Sequence, residues 1–348
     1  MIEPQSEHMG DNTTTKLAAS TRGEQFDALE RATRSGDSHA AARLGLRYLM
    51  AREVPADPVR GLELIEQAAL AGDAQGNYLA ATIASSSFWR ERSWDEAFDY
   101  LMRAAEQGHK PSQSSLRILA GGPSGNKIEG ENWANMRIGI DLAAWLAPPQ
   151  IRMICEAPRI HVIENFTPPA ACDWLITQAQ GRLSRATIYD KATGGTIEDE
   201  RRTNSQCDLG IETCGVLTFV IRGRIATITQ RQDLAMEVPK MLHYAPGDTF
   251  AEHFDYLDPA EPAYATEIAV RGQRTDTFLI YLNEDFSGGE TYFPRIGLSH
   301  IGAKGDALLF TNVDVAGAPD HDTMHAGLSP TSGEKWVFSQ WIREFPRQ

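Results

Sequence analysis

His253 and Asp255 lie two residues apart in the segment from Met241 to Tyr256. Side chains of an extended strand alternate between faces, so an imidazole and a carboxylate are expected on one side while Phe254 points to the other. A second imidazole from elsewhere would complete a set of two histidines and one carboxylate. Such a set grips one face of a non-haem Fe(II) and leaves the remaining positions to a cosubstrate and O2. Alone, His-x-Asp is a weak signal in a chain with 9 His and 47 acidic residues, and the second histidine decides its value.

Two histidines compete for that place, His321 and His325, in the loop after an apolar strand from Ala307 to Phe310. Residues Ser329 to Glu334 carry turn chemistry, and a hairpin there brings His325 near Lys335. Along the strand that follows, Lys335, Val337, Ser339 and Trp341 share one face. The Lys335 ammonium would then stand several ångströms deeper than a metal, as a compact point charge suited to a carboxylate. Taken singly, Tyr244 and Trp341 read as core aromatics and Lys335 as a surface lysine. His161, His243 and His300 stand alone and are read as structural.

The chain that must position these groups has 348 residues, enough for about two domains with a core each. A formal net charge of -14 and a pI near 5.1 disfavour nucleic acid as a partner, because a phosphate backbone needs concentrated Lys and Arg. No window carries the roughly eighteen apolar residues of a membrane span, and the acidic N-terminus lacks the apolar core of a signal peptide. Cys155, Cys172, Cys207 and Cys214 show no paired metal spacing and are too sparse for a disulfide scaffold, so they read as free thiols in a reducing compartment. A soluble cytoplasmic protein is the expectation.

Residues 1–25 are polar and expected to form an unstructured tail. Helical repeats are expected over 26–120. Gly36, Gly72 and Gly108 recur at intervals of 36, with Ala32, Ala68 and Ala104 four residues ahead of them. Each glycine is placed where a helix ends in the left-handed conformation. Ala40, Gly76 and Ser112 fall in register, where neighbouring helices would approach closely, and apolar residues at three- and four-residue steps complete the pattern of a helix-pair solenoid. A Gly/Pro cluster from Ala120 to Asn126 ends the repeats. A linker over 121–155 is expected to hold one helix, Trp133 to Leu146.

Over 156–348 the pattern changes to strands and turns. Strands are expected at Pro158 to Glu164, Pro239 to Tyr244, Thr275 to Leu282, Ala307 to Phe310 and Lys335 to Ile342. Helices are expected from a Thr167 cap to Ala179 and from Leu217 to Ile228, with a long loop or lid from Ala186 to Ser205. Short strands at this density suggest an antiparallel sandwich or jelly roll. The fold class is therefore α+β, a helical repeat domain followed by a jelly roll.

The wording of the repeats, Glu66 to Gln75 and Arg103 to His109, resembles Sel1-like repeats, relatives of the tetratricopeptide family. That resemblance implies a docking surface for a protein partner, and a helical cap on the downstream domain is the other reading. Residues 158–346 resemble the prolyl 4-hydroxylase branch of the Fe(II)/2-oxoglutarate dioxygenases. The match runs through His253-x-Asp255, a distal His325 and Lys335 ten residues beyond it, with Gly288 to Pro294, Lys304 to Phe310 and Gly333 to Trp336 around them.

The resemblance implies a double-stranded β-helix, Fe(II) held by His253, Asp255 and His325, and 2-oxoglutarate held by Lys335, Tyr244 and Thr291. It places Arg274 and Trp341 on the substrate side and Arg202 where a mobile lid returns to the sheet. The implied reaction converts 2-oxoglutarate and O2 to succinate and CO2 and hydroxylates a C–H bond, with ascorbate as reductant. A prolyl residue of a peptide or protein is the implied substrate. One departure points elsewhere: the family often has a tyrosine three residues before His-x-Asp, and this chain has Phe250. A free amino acid or other small metabolite is the alternative substrate, and a non-catalytic binding or sensing protein on the same fold is the third reading.

Overall fold

The computed structural model describes residues 25–190 and 195–346. The tail expected over 1–25 therefore falls almost wholly outside the described residues, as does the middle of the expected lid. The helical half comprises α1 (25–34), α2 (Ser38–Leu49), α3 (Pro58–Leu70), α4 (Ala74–Ser85), α5 (Trp94–Glu106) and α6 (Lys110–Gly121). Its period has a physical origin at the joints. Gly36, Gly72 and Gly108 carry φ of +93°, +84° and +85°, a left-handed state that glycine adopts without steric cost. The next residue in each case, Asp37, Asp73 or His109, caps the following helix by accepting the N–H of Ala40, Gly76 or Ser112. A Cβ on Gly76 would lie 2.8 Å from the Ala68 Cβ, so the helices do approach closely there.

The single helix expected from Trp133 to Leu146 is instead two, α7 (Trp133–Ile138) and α8 (Leu142–Leu146). The first ends at Gly139 and Asp141 caps the second. Next come β1 (Arg152–Cys155), β2 (Ile160–Ile163) and α9 (Pro169–Ala179). Thr167 does not cap α9: the cap position is Pro168, without a side-chain bond, and Pro169 in the first turn has no N–H to be capped.

The chain continues with β3 (Ser184–Arg185), β4 (Ile188–Asp190), β5 (Gly195–Ile197), β6 (Ser205–Asp208), α10 (Ile211–Thr229) and β7 (Lys240–Tyr244). It then forms β8 (Phe250–His253), α11 (Pro262–Arg271), β9 (Arg274–Tyr281), β10 (Phe286–Gly288), β11 (Thr291–Phe293) and β12 (Leu298–His300). Last are β13 (Ala307–Thr311), β14 (His325–Gly327), β15 (Pro330–Gly333) and β16 (Lys335–Arg343). The expected lid thus contains a small hairpin, β4 paired with β5.

Eight strands form one antiparallel sheet in the order β1-β2-β13-β9-β16-β7-β6-β3, and four form another in the order β12-β11-β14-β8. Residues from both sheets line a common pocket, the arrangement of a double-stranded β-helix. The tight hairpin expected over Ser329 to Glu334 is not formed. Pro330 to Gly333 extend and pair with β10, because a short backbone ladder tolerates turn-prone side chains, and Gly288 and Gly333 bend the chain at φ of +68° and +71°.

The core is continuous from helices to sheet. Ala84, Phe98, Leu101 and Leu116 of the helical half share one buried cluster with Phe166, Phe219, Phe278 and Phe338. The shared wall is α10, which kinks at Gly215 with φ of +58°. A second cluster, including Leu44, Leu64, Ile65 and Leu79, belongs to the earlier helices. All four cysteines are free. Among the described residues no helix is long and apolar enough to cross a membrane.

Candidate metal centre and substrate cleft

β14 runs antiparallel to β8, and this register sets His325 directly opposite His253. Their ring centroids are 4.3 Å apart. Asp255 joins them by a different route from the one expected. The strand ends at His253, and Asp255 lies in the bend that follows, so alternation along a strand does not place its carboxylate. Thr277 on β9 does, donating from Oγ1 to Asp255 Oδ2 at 2.8 Å while receiving Asn312 Nδ2 at 3.0 Å. One ligand atom from each of His253, Asp255 and His325 falls within 4.8 Å of the others. His253 Nε2 stands 3.7 Å from Asp255 Oδ1, and His325 Nε2 stands 3.6 Å from Oδ2.

Both Nδ1 atoms face carbonyls, His253 toward Ala251 at 2.8 Å and His325 toward Thr323 at 3.0 Å. A carbonyl only accepts, so Nδ1 carries the proton and Nε2 offers its lone pair inward. Burial, with His325 close by, pulls the His253 imidazole down to about 3 and keeps it neutral. Burial alone would raise the Asp255 carboxyl, yet His325, His253, the Thr277 hydroxyl and Arg274 together hold it below its usual range. Two imidazoles and one carboxylate, all aimed at one point, fit Fe(II) with open positions. His321 is outside this group: its Nδ1 meets the Tyr256 hydroxyl at 3.0 Å. Among the described residues no other such group of His, Cys, Asp or Glu exists.

Behind the metal ligands, Lys335, Tyr244 and Thr291 line the same pocket. Lys335 is 2% exposed. Its Nζ donates to the Gly289 carbonyl at 2.7 Å and faces the rings of Tyr244 and Tyr281 at 5.2 and 5.6 Å. Burial pushes its ammonium down to about 8, although Glu290 opposes the shift. Tyr244 is driven up to about 12, chiefly by burial, and keeps its proton. A Cβ at Gly327 would lie 3.0 Å from the Tyr244 hydroxyl, so a glycine there leaves that group room. Thr291 Oγ1 shares a hydrogen bond of 2.9 Å with the Tyr281 hydroxyl.

In front of the ligands opens a cleft of about 720 Å³, lined among others by Arg202, Phe250, Phe254, Tyr264, Arg274 and Trp341. Phe250 is sandwiched, with the Arg202 guanidinium 4.1 Å from its centroid and the His253 ring stacked at 3.5 Å. Arg274 lies over Trp341 at 3.9 Å. Its guanidinium is committed, with Nε and Nη2 to the two oxygens of Glu237 at 2.7 and 2.9 Å and Nη1 to the Asp255 carbonyl at 3.3 Å. Arg343, fully buried, adds a bond to Glu237 at 3.2 Å and another to Glu267 at 3.1 Å. Burial would raise Glu237, but Arg274, Arg343 and Arg271 outweigh it and keep the carboxyl low.

Sequence reasoning did not find Thr277, Asn312, Glu237, Glu267 or Arg343. The signal for two of them was a charge inside an apolar run, Glu237 between Met236 and Val238 and Arg343 after Trp341 and Ile342, since a charge at a position patterned for burial needs a partner.

Comparison with known proteins agrees with this geometry. The model of the 2OG-Fe(II) oxygenase superfamily matches residues 239–343, the stretch that holds all three ligands and Lys335. The chain is 32% identical over 244 residues to prolyl 4-hydroxylase 1 of Arabidopsis thaliana, covering 66% of this chain and 84% of that protein. It is 30% identical over 199 residues to prolyl 4-hydroxylase subunit alpha-1 of Rattus norvegicus, covering 57% and 37%. Among solved structures, the viral collagen prolyl hydroxylase of Paramecium Bursaria Chlorella virus-1, in its 2OG complex, aligns over 55% of this chain and 98% of its own at 25% identity and a TM-score of 0.41. With its ligand geometry and an alignment spanning most of a relative's length, the chain belongs to the 2OG-Fe(II) oxygenase superfamily, in the branch of the prolyl 4-hydroxylases.

Proposed function

We propose that the protein hydroxylates a prolyl residue within a peptide or protein, using Fe(II), 2-oxoglutarate and O2. The observation that carries this reading is the state of charge in the cleft. A free amino acid presents an α-carboxylate that needs an unengaged cation. Each cation described in the cleft already has a partner: Arg274 has Glu237, Lys240 has Asp208, Arg201 has Asp199, and Arg202 has Gln206 and the Thr187 carbonyl. Four aromatic side chains, Phe250, Phe254, Tyr264 and Trp341, stand among the residues that line the cleft. An aromatic-lined groove suits the stiff, apolar backbone around proline, and the names of the relatives support the same class.

In this reading His253, Asp255 and His325 hold the metal through Nε2, Nε2 and a carboxylate oxygen, while the Ala251, Thr323 and Thr277 contacts fix their orientation. Lys335 binds the far carboxylate of 2-oxoglutarate, with the Tyr244 and Thr291 hydroxyls as further donors. Bound Fe(II) and the 2-oxo acid supply the oxidising chemistry that puts one atom of O2 into succinate and the other into the substrate. The two sheets exclude water from the Lys335 end, and the Arg274–Trp341 stack presents the C–H bond at the open end. Ascorbate as reductant, docking of a protein partner on the helical repeats and a cytoplasmic location belong to this proposal, the last supported by the free thiols.

The test is mass spectrometry after incubation with Fe(II), 2-oxoglutarate and O2, offering proline-containing peptides and free L-proline side by side. Peptides heavier by one oxygen atom, with matching succinate, are expected. Oxidation of free proline alone would replace this reading by the small-metabolite one, which the lost hydroxyl at Phe250 favours. No succinate with any substrate would remove the catalytic reading.

A further inference from the structure

Asp233 lies in the short turn Asp233–Ala235 between α10 and β7 and is 7% exposed. Its carboxylate is divided between two parts of the molecule. Arg222 of α10, 1% exposed, donates from Nε to Oδ1 at 2.9 Å. Arg92, from the loop that joins α4 to α5 in the helical repeats, donates to Oδ2. The remaining N–H groups of Arg222 bind the carbonyls of Asp233 at 3.1 Å, Glu237 at 3.1 Å and Met236 at 3.5 Å. The strap 233–237 is thereby fixed from the helix side by four bonds and from the repeat side by Arg92.

The strap ends at the residue that orders the cleft. Glu237 grips Arg274 by both oxygens, and Arg274 in turn donates to the carbonyl of Asp255. On the repeat side, Met236 of the strap shares a buried cluster with Ala84 and Phe98, against which Phe88 also packs. A hollow of about 180 Å³ is lined by Phe88 of the same loop together with Met236, Glu237, Val238 and Lys240. Without Arg92, Oδ2 of a nearly buried carboxylate loses its donor, and the strap is left to Arg222 and to its bonds with the sheet, the Glu237 N–H to the Trp341 carbonyl at 3.0 Å and Gln340 Nε2 to the Glu237 carbonyl at 2.8 Å.

We propose that Arg92 and Asp233 are positioning residues for the substrate cleft, which makes the helical repeats a working part of the oxygenase as well as a cap. The inference rests on reading that cleft as the substrate site. Charge-assisted hydrogen bonds are the strong class, and Arg92 is partly solvated, so its removal should raise strap mobility about tenfold.

The experiment uses the full chain with Arg92→Met, which keeps the stem beside Trp94, and Arg92→Lys, which keeps the charge. Arg90→Met serves as the control, breaking the Arg90–Glu96 pair in the same loop. Backbone hydrogen exchange is measured on metal-free protein. Arg92→Met should speed exchange at residues 233–238 and 273–275 about tenfold, Arg92→Lys should fall between it and wild type, and Arg90→Met should match wild type. In turnover with the peptide substrate, Arg92→Met should raise the peptide KM by a similar factor and leave the 2-oxoglutarate KM unchanged. Exchange altered only at residues 86–93, or altered equally by Arg90→Met, would overturn the proposal. A wild-type chain that oxidises no peptide would instead overturn the reading of the cleft, while the exchange data still decide whether Arg92 holds Glu237 and Arg274 in place.

Discussion

The floor of the site and its mouth hold charge in opposite ways. On the floor, Lys335 is almost wholly buried and its ammonium meets a carbonyl and two tyrosine rings, with no carboxylate in hydrogen-bonding reach among the described residues. At the mouth, Arg343 is fully buried and Arg274 partly so, and the two share Glu237, with Arg343 also holding Glu267. A buried charge without its opposite is costly, and a depressed lysine is the visible sign of that cost. The floor is thus incomplete until an anion enters. The Arg274–Glu237–Arg343 network at the mouth is matched by itself, and it sets shape beside the aromatic walls.

That contrast can be broken most severely at the ligands both regions share. Asp255→Ala removes the carboxylate at the metal and the acceptor for Thr277, so 2-oxoglutarate turnover should fall to background, read as succinate release. His325→Ala should do the same, and retained succinate in either variant would refute the ligand set.

The next effects should differ in sign. Arg343→Met strips a fully buried partner from Glu237 and Glu267, and breaking a buried pair typically costs about 3–5 kcal/mol. Urea unfolding should show it directly. Lys335→Met removes a charge that has no carboxylate partner, so the metal-free protein should be as stable as wild type or more so. The same variant should raise the 2-oxoglutarate KM about a hundredfold or more, the loss expected when one partner of a buried charge pair is truncated. A destabilised Lys335→Met would mean that the floor, like the mouth, is already electrically matched.

A finer test uses pH. The Lys335 ammonium titrates near 8 in the free protein, and pairing with a carboxylate stabilises the charged form, so the bound-state value must be higher. Below pH 8 the charge is already present. As pH rises above 8, binding 2-oxoglutarate requires proton uptake, and affinity should drop about tenfold per pH unit. Calorimetry in buffers of different ionisation enthalpy should register that uptake.

Legibility in the sequence follows the same division. The floor could be read because strands and motifs carry it: β14 and β8 bring His325 to His253, and Lys335, Val337, Ser339 and Trp341 do line one pocket. Even there, Asp255 was right for a partly wrong reason, since a bend held by Thr277 and not strand alternation positions it. The mouth was far less legible. Arg202, Arg274 and Trp341 came from family likeness, but the Glu237–Arg343–Glu267 network joins positions far apart in the chain with no spacing rule to reveal them. In the helical half, the joints at Gly36, Gly72 and Gly108 were readable because glycine alone tolerates them cheaply. The contact of Arg92 with Asp233, 141 residues away, left no local trace.

The smallest expected effect lies where floor and mouth meet. Phe250 separates the Arg202 guanidinium from the His253 ring and borders both the pocket and the cleft. Phe250→Tyr keeps the stacked ring and adds one hydroxyl at the position where relatives often carry it. A single neutral hydrogen bond contributes about 0.5–1.5 kcal/mol. If the substrate is a peptide whose backbone reaches that hydroxyl, its KM should fall by roughly threefold to tenfold, the equivalent of that range. The 2-oxoglutarate KM should stay constant, because the Lys335 ammonium meets the Gly289 carbonyl and the Tyr244 and Tyr281 rings rather than Phe250. An unchanged peptide KM would mean that the substrate passes Phe250 without a polar contact, and that recognition rests on the aromatic walls and on the Arg274–Trp341 stack.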